Sequence, residues 1–223
     1  MNIARIGTLA IAGALLGAGI YAAGIRGLAD ARYFTARTIL TETLQSKRRP
    51  DADRLGAARE ALEVAHSLEP SNPLFVEQLA RVHEMAALVL ERVDPAAQAA
   101  LRQSLAGFRK AALQRPGSPY VWAAIAGLKL RLDEMDFEFY GALQRAERFG
   151  QWEPAIQLAL ADVGLAGWRL LAQPGKALVQ RAIERGLARQ EKEIRALAQT
   201  HGTLALFCAE ASALVKAGIC VKV

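Results

Sequence analysis

The sequence predicts an all-α protein: an amino-terminal membrane helix, an array of antiparallel helix hairpins, and a helical carboxy-terminal cap. Three observations predict it. Residues Ile6 to Ile25 form an uncharged run of twenty residues. From Ala29 onward Ala, Leu, Arg, Glu and Gln recur at intervals of three and four, with almost no β-branched alternation. Prolines then punctuate the chain at regular intervals. The expected boundaries are 1–28 for the anchor, 29–172 for the hairpin array and 173–223 for the cap. With 223 residues, 52% of them hydrophobic and 22% charged, the chain has enough apolar material for a core and is neither disordered nor fibrous.

The run IGTLAIAGALLGAGIYAAGI matches a hydrocarbon layer of about 30 Å at a rise of about 1.5 Å per residue. A cleaved signal peptide is the alternative, supported by Arg5 before the run and by Ala22, Ala23 and Gly24 near its end. A retained anchor is favoured because the run exceeds the usual signal core and no A-x-A site closes it. Tyr21 suits a membrane edge. Gly13 and Gly17, four residues apart beside Ala10, Ala14 and Ala18, offer a small-residue face on which a second membrane helix could pack.

Orientation is contested. Arg26, Arg32, Arg37, Lys47, Arg48 and Arg49 follow the run and only Arg5 precedes it, which by the positive-inside rule keeps the body in the cytoplasm. A five-residue leader before the apolar run resembles a signal anchor, which carries the downstream chain across the bilayer. A bacterial inner-membrane protein with a periplasmic body is the expectation.

The net charge of +6 does not signal nucleic acid. Residues 1–50 hold seven basic and two acidic side chains, and the remainder holds 21 and 20. The body therefore lacks the basic face that counterion release requires. Cys208 and Cys220 have no histidine nearby at ligand spacing, so neither a disulfide framework nor a zinc site is expected.

Within the body, Glu69 to Pro73, Arg115 to Pro119, Trp152 to Pro154 and Gln173 to Gly175 each close one helix and open another, because proline fits the first helical turn and breaks the interior. Ala58, Leu62, Ala65 and Pro70 stand at offsets 0, 4, 7 and 12, and so do Ser104, Phe108, Ala111 and Pro116, and Ala142, Ala146, Phe149 and Pro154. After two of these stops, Val76, Leu79, Ala80 and His83, and Trp122, Ile125, Ala126 and Lys129, share offsets 6, 9, 10 and 13. The pattern resembles the tetratricopeptide repeat, in which a small residue lets two helices approach and a large one four positions later fills the groove. The intervals of 46 and 38 residues between prolines depart from the usual 34. By that resemblance Glu77, Arg81 and Glu84 in one repeat, and Tyr120 and Arg131 in the next, face a partner-binding groove.

Residues 115 to about 171 carry a narrower likeness. Arg-Pro-Gly-Ser-Pro-Tyr-Val-Trp, the Asp136–Phe139 run, Ala142–Ala146 and Gly150–Pro154 resemble VpsP-type proteins, small membrane-anchored accessory proteins of bacterial exopolysaccharide loci. The resemblance implies a task in polysaccharide assembly or export, with proteins of that machinery as partners. It brings no catalytic residues.

Eight of the fourteen aromatic residues lie between Tyr120 and Trp168, so packing should be densest there. A sugar-stacking platform is the alternative and requires an exposed indole; Trp152 beside Glu153 is the candidate contact for a nascent glycan. Asp133, Glu134, Asp136 and Glu138 could supply paired carboxylates for glycoside cleavage, but acids at a helix start are explained by the exposed NH groups there. His66, His83 and His201 lack the i, i+4 partner of a zinc helix. No nucleophile elbow, Walker loop or dinucleotide fingerprint occurs. The expected protein is a non-enzymatic scaffold without metal or cofactor. After Gln173-Pro174-Gly175 a long helix should run to about Gln199, followed by a last helix from Thr203 to about Ala217 that caps the array.

Overall fold

A computed structural model describes residues 3–46 and 50–220, and the described residues are helical without a strand. The chain divides into two compact units, residues 1–100 and 101–223.

The first unit is organised by α1 (Ile3–Gln45), α2 (Ala52–Leu68) and α3 (Pro73–Leu88). With 43 residues, α1 is about 64 Å long and is the helix long and apolar enough to cross a membrane. Ile11, Leu15, Leu16, Ile20 and Tyr21 are exposed. Beyond residue 25 one stripe of the same helix turns inward: Ala29, Ala36 and Leu40 are buried, and Tyr33 and Ile39 are partly so. They meet Leu55, Ala58, Leu62 and Ala65 of α2, and the alanines on both sides let the backbones approach closely.

Helix α2 runs antiparallel to α1. Arg54 pairs with Glu42 at one end, and Arg26 reaches Glu69 at 3.3 Å at the other. The start of α2 is set by Asp51, whose carboxylate accepts from the backbone NH groups of Asp53 and Arg54 at 2.9 and 3.1 Å. Asn72 caps α3 in the same way through the NH of Leu74 at 3.1 Å, with Pro73 in the first turn. Phe75 of α3 then packs against Tyr33, ring centroids 5.6 Å apart.

Helix α4 (Pro95–Gln114) begins in the first unit and contributes Leu101, Leu105, Phe108 and Ala111 to the buried residues of the second. There α5 (Pro119–Arg131) and α6 (Phe137–Phe149) form one hairpin, and α7 (Pro154–Ala166) and α8 (Gln173–Thr200) form the next. The hairpins stack first helix on first, α5 against α7, and second on second, α6 against α8. Gly164 explains how close α7 and α8 come: a Cβ at that position would lie 2.2 Å from Val179 Cγ1. Gly150 is similarly confined, with Ile156 Cγ2 2.5 Å from where a Cβ would be. Within α8, Gln190 leaves helical geometry (φ −138°, ψ 33°) and bends the helix.

The carboxy-terminal region departs from expectation. Helix α9 (Leu204–Glu210) ends early, and after Ala211 and Ser212 a short turn α10 (Ala213–Val215) leads into a wider turn at Lys216–Cys220. A disulfide between Cys208 and Cys220 closes across this break, Cα atoms 5.9 Å apart. A straight helix would separate residues twelve apart by about 18 Å, so the chain must fold back. The sequence leaves the role of these two cysteines open, and the structure joins them in a single bond. Beneath this clasp Trp168 is fully buried and meets Phe207 edge to face at 4.8 Å. Lys176 reaches Glu210 at 2.7 Å, and Ser212 donates to Glu184 at 2.5 Å.

Candidate functional site

Three places in the body gather chemistry-bearing side chains. The first surrounds Lys129, whose side chain is only 1% exposed and follows the apolar stretch Val121–Leu128 of its helix. Its ammonium sits 3.1 Å from Glu134, 2.9 Å from Asp136 and 3.0 Å from Glu138. Arg102 adds a contact to Glu134 at 2.9 Å, and Arg109 grips both oxygens of Glu138 at 2.7 and 2.5 Å. Asp136 also caps α6 through the NH groups of Glu138 and Phe139. Burial would lower the Lys129 pKa, but hydrogen bonds to Asp136, Glu138 and Glu134 outweigh it and the net shift is upward.

All three acids move the opposite way. Hydrogen bonding to Lys129 holds Glu134 and Asp136 below the usual carboxylate range, and the Arg109 contact does so for Glu138. Three cations face three anions, so each carboxylate is kept ionised and oriented toward a counterion. A general acid for glycoside cleavage needs the reverse, a pKa pushed up. Asp133 serves the geometry instead: at φ 58° it turns the chain from α5 toward α6. The explanation from helix-start electrostatics thus holds for Asp136, the cap of α6, and for Glu138 in its first turn, where Glu138 also meets Arg109 and Lys129, while Glu134 pairs with Lys129 and Arg102.

The second place is where the start of α5 meets the α6–α7 turn. Trp152 is 76% exposed there, and Tyr120 and Phe149 are 43% and 44% exposed. The Tyr120 hydroxyl donates to Glu153 at 3.0 Å, so the expected glycan contacts Trp152 and Glu153 lie beside the expected groove residue Tyr120. Burial, together with the Glu153 contact, raises the Tyr120 pKa and keeps the phenol protonated. Trp122 is fixed by donation from its indole NH to the Pro116 carbonyl at 2.7 Å, and the Arg145 guanidinium lies 4.5 Å above its ring. The dense aromatic stretch therefore splits. Phe139 and Trp168 are core, whereas Trp152 presents its indole to solvent.

The remaining expected groove residues are dispersed. Tyr120 and Arg131 occupy opposite ends of α5, about 16 Å apart along the helix. In the first unit Glu77 is buried, while Arg81 and Glu84 are half-buried and pair at 3.8 Å. A third place, a groove of about 300 Å³ between α2 and α3, is lined by Leu55, Arg59, Val82, His83 and Val89 among others. Burial lowers the His83 pKa, Arg59 adds to that, and Glu63 opposes it.

His201 Nε2 lies 2.7 Å from Asp162. No cluster suited to a metal ion occurs among the described residues. A Cβ at Gly13 or Gly17 would meet nothing within 4 Å, so that face of α1 is uncovered. Sequence reasoning missed Lys129 as the hub of the acid cluster. The available signal was a lone lysine in the apolar run AAIAGLKL followed within ten residues by four acids.

No family model matches this chain, and no curated protein or solved structure matches it significantly.

Proposed function

We propose that this chain is a membrane-tethered, non-catalytic scaffold that organises components of a bacterial exopolysaccharide synthesis or export machine. The observation that carries the reading is α1, one unbroken helix that leaves the uncharged run and becomes, without a linker, the first packing surface of the hairpin body. Such a junction holds a binding surface at fixed orientation near the bilayer, and confinement there raises the effective concentration of neighbours. The resemblance of residues 115–171 to VpsP-type proteins, and of the proline-delimited hairpins to tetratricopeptide repeats, supplies the polysaccharide context and the adaptor function. The ionised, mutually neutralised acids around Lys129 argue against a hydrolase. A periplasmic body is supported by the Cys208–Cys220 disulfide, since such bonds persist in oxidising compartments.

The test is capture of the full chain in mild detergent with its neighbours, in wild-type form and with Arg81→Glu or Arg131→Glu. Recovery of a glycan polymerase, flippase or export component, reduced by a reversal that leaves the melting temperature unchanged, is the expected result. Reproducible recovery of no such component would remove the scaffold reading.

A second reading, a glycan-binding module, is favoured by Trp152, whose exposed indole stands beside the Tyr120–Glu153 pair. An indole face accepts the apolar C–H face of a sugar ring while the neighbouring carboxylate accepts from its hydroxyls. Titration of tryptophan fluorescence with the polysaccharide should give a shift that Trp152→Ala abolishes. No change at saturating sugar would sink this reading.

A further inference from the structure

We propose that the junction between α1 and the α2–α3 turn binds one phospholipid through a phosphoethanolamine headgroup. The proposal rests on reading α1 as membrane-spanning. A cavity of about 270 Å³ lies there, lined chiefly by Tyr21, Ile25 and Arg26 of α1 and by Leu68, Glu69 and Ser71 at the turn. Its height is fixed by the antiparallel pairing of α1 and α2, which brings Glu69 level with Arg26. Arg26 is the first charge after the uncharged run, so the cavity stands where hydrocarbon gives way to headgroups.

The lining divides by chemistry. Ile25 and Leu68 give an apolar side suited to the first methylenes of a lipid, while Tyr21, Ser71, Arg26 and Glu69 give a polar one. Arg26 meets Glu69 through Nε at 3.3 Å, and its side chain is 73% exposed. The guanidinium therefore has its two terminal nitrogens for a phosphate, which it matches in geometry and charge. Glu69 accepts from Asn72 Nδ2 at 2.9 Å through its other oxygen, and a carboxylate has about four acceptor sites in all. Capacity remains for an ammonium.

A cation beside an anion, at one rim of an apolar cleft, complements a headgroup that carries both charges. A phosphoglycerol headgroup would set its phosphate near Glu69 with no amine to offset the repulsion. A choline headgroup carries the same charges but has no N–H to donate.

The experiment uses the full chain, delipidated and reconstituted into phosphatidylcholine nanodiscs containing a minor fraction of either phosphatidylethanolamine or phosphatidylglycerol. Lipid retained per chain is counted by native mass spectrometry after release. Vesicle flotation, run in parallel, tests anchorage alone. Phosphatidylethanolamine should be retained about fivefold above its bulk share, the equivalent of about 1 kcal/mol. Glu69→Gln should remove that preference, and Arg26→Gln should lower retention of every lipid. Should Glu69→Gln disturb the turn and lower the melting temperature, the exposed Arg26→Gln variant decides. Retention in proportion to bulk composition, preference for phosphatidylglycerol, or indifference to these substitutions would overturn the site while flotation still succeeds. Failure to float would overturn the membrane reading and the proposal with it.

Discussion

Replacing Lys129 with Met tests whether the ion cluster is a structural keystone of the second unit. The substitution keeps the length and helix propensity of the side chain and deletes one charge. Glu134, Asp136 and Glu138 would then face one another with only Arg102 and Arg109 to offset them. Removing one partner of a buried pair costs about 3–5 kcal/mol, but these acids keep 29%, 55% and 32% of their side-chain surface in water. Solvent relief lowers the expectation to about 3 kcal/mol. For a chain of this size that lowers the melting temperature by about 6–12 °C.

Helicity followed by circular dichroism during heating of the detergent-solubilised protein measures the effect. Adding Asp136→Asn to the Lys129→Met background should recover part of the loss, because Lys129 is the cation paired with Asp136, whereas Arg102 and Arg109 still hold Glu134 and Glu138, and Asn can cap α6 as Asp does. A melting temperature within about one degree of wild type would refute the reasoning, since the buried ammonium would then contribute nothing net.

The same cluster sets an acid limit. All three carboxyl pKa values are lowered on folding, so their contribution is present above the unfolded value of about 4 and is lost as pH falls through the folded values. Wild-type stability should therefore fall steadily below about pH 4, and the slope should flatten in Lys129→Met. Cys208→Ser, or reductant, should release the closed loop at a cost of about 3 kcal/mol, read as faster proteolysis near Glu210 with residues 119–166 still protected. Gly164→Ala drives a methyl group into Val179 and should cost about 1–3 kcal/mol, with partial rescue by Val179→Ala. Resistance of Gly164→Ala to any loss in thermal melting would mean that α7 and α8 can separate freely.

Features encoded in adjacent residues were readable. Pro73, Pro119 and Pro154 each stand in the first turn of their helices, and Asp136 caps α6 where its acidic neighbourhood suggested a helix start. The long α8 ends at Thr200, one residue beyond the expected Gln199. What escaped depends on chain reversal. The Cys208–Cys220 bond forms because the helix breaks at Ala211 and Ser212, and neither residue is a strong breaker. The contacts of Lys129 likewise require the reversal at Asp133, which brings Glu134 back to it. Trp152 and Trp168 are the same residue type in the same aromatic stretch and both lie on turns, yet one faces solvent and the other is covered by Phe207 of α9, a distinction that periodicity does not carry.

The unbroken course of α1 has a mechanical corollary. Where α1 spans a bilayer as proposed, residues 26–45 continue that span outward for about 30 Å, and α2 is laid along them with ion pairs near both ends. A span that leans by about 20° to suit a thinner bilayer would swing the far tip of this arm sideways by about 10 Å. Membrane thickness would thus be converted into lateral displacement of the first unit, and a helix breaker placed near Gly27 would disconnect the lever.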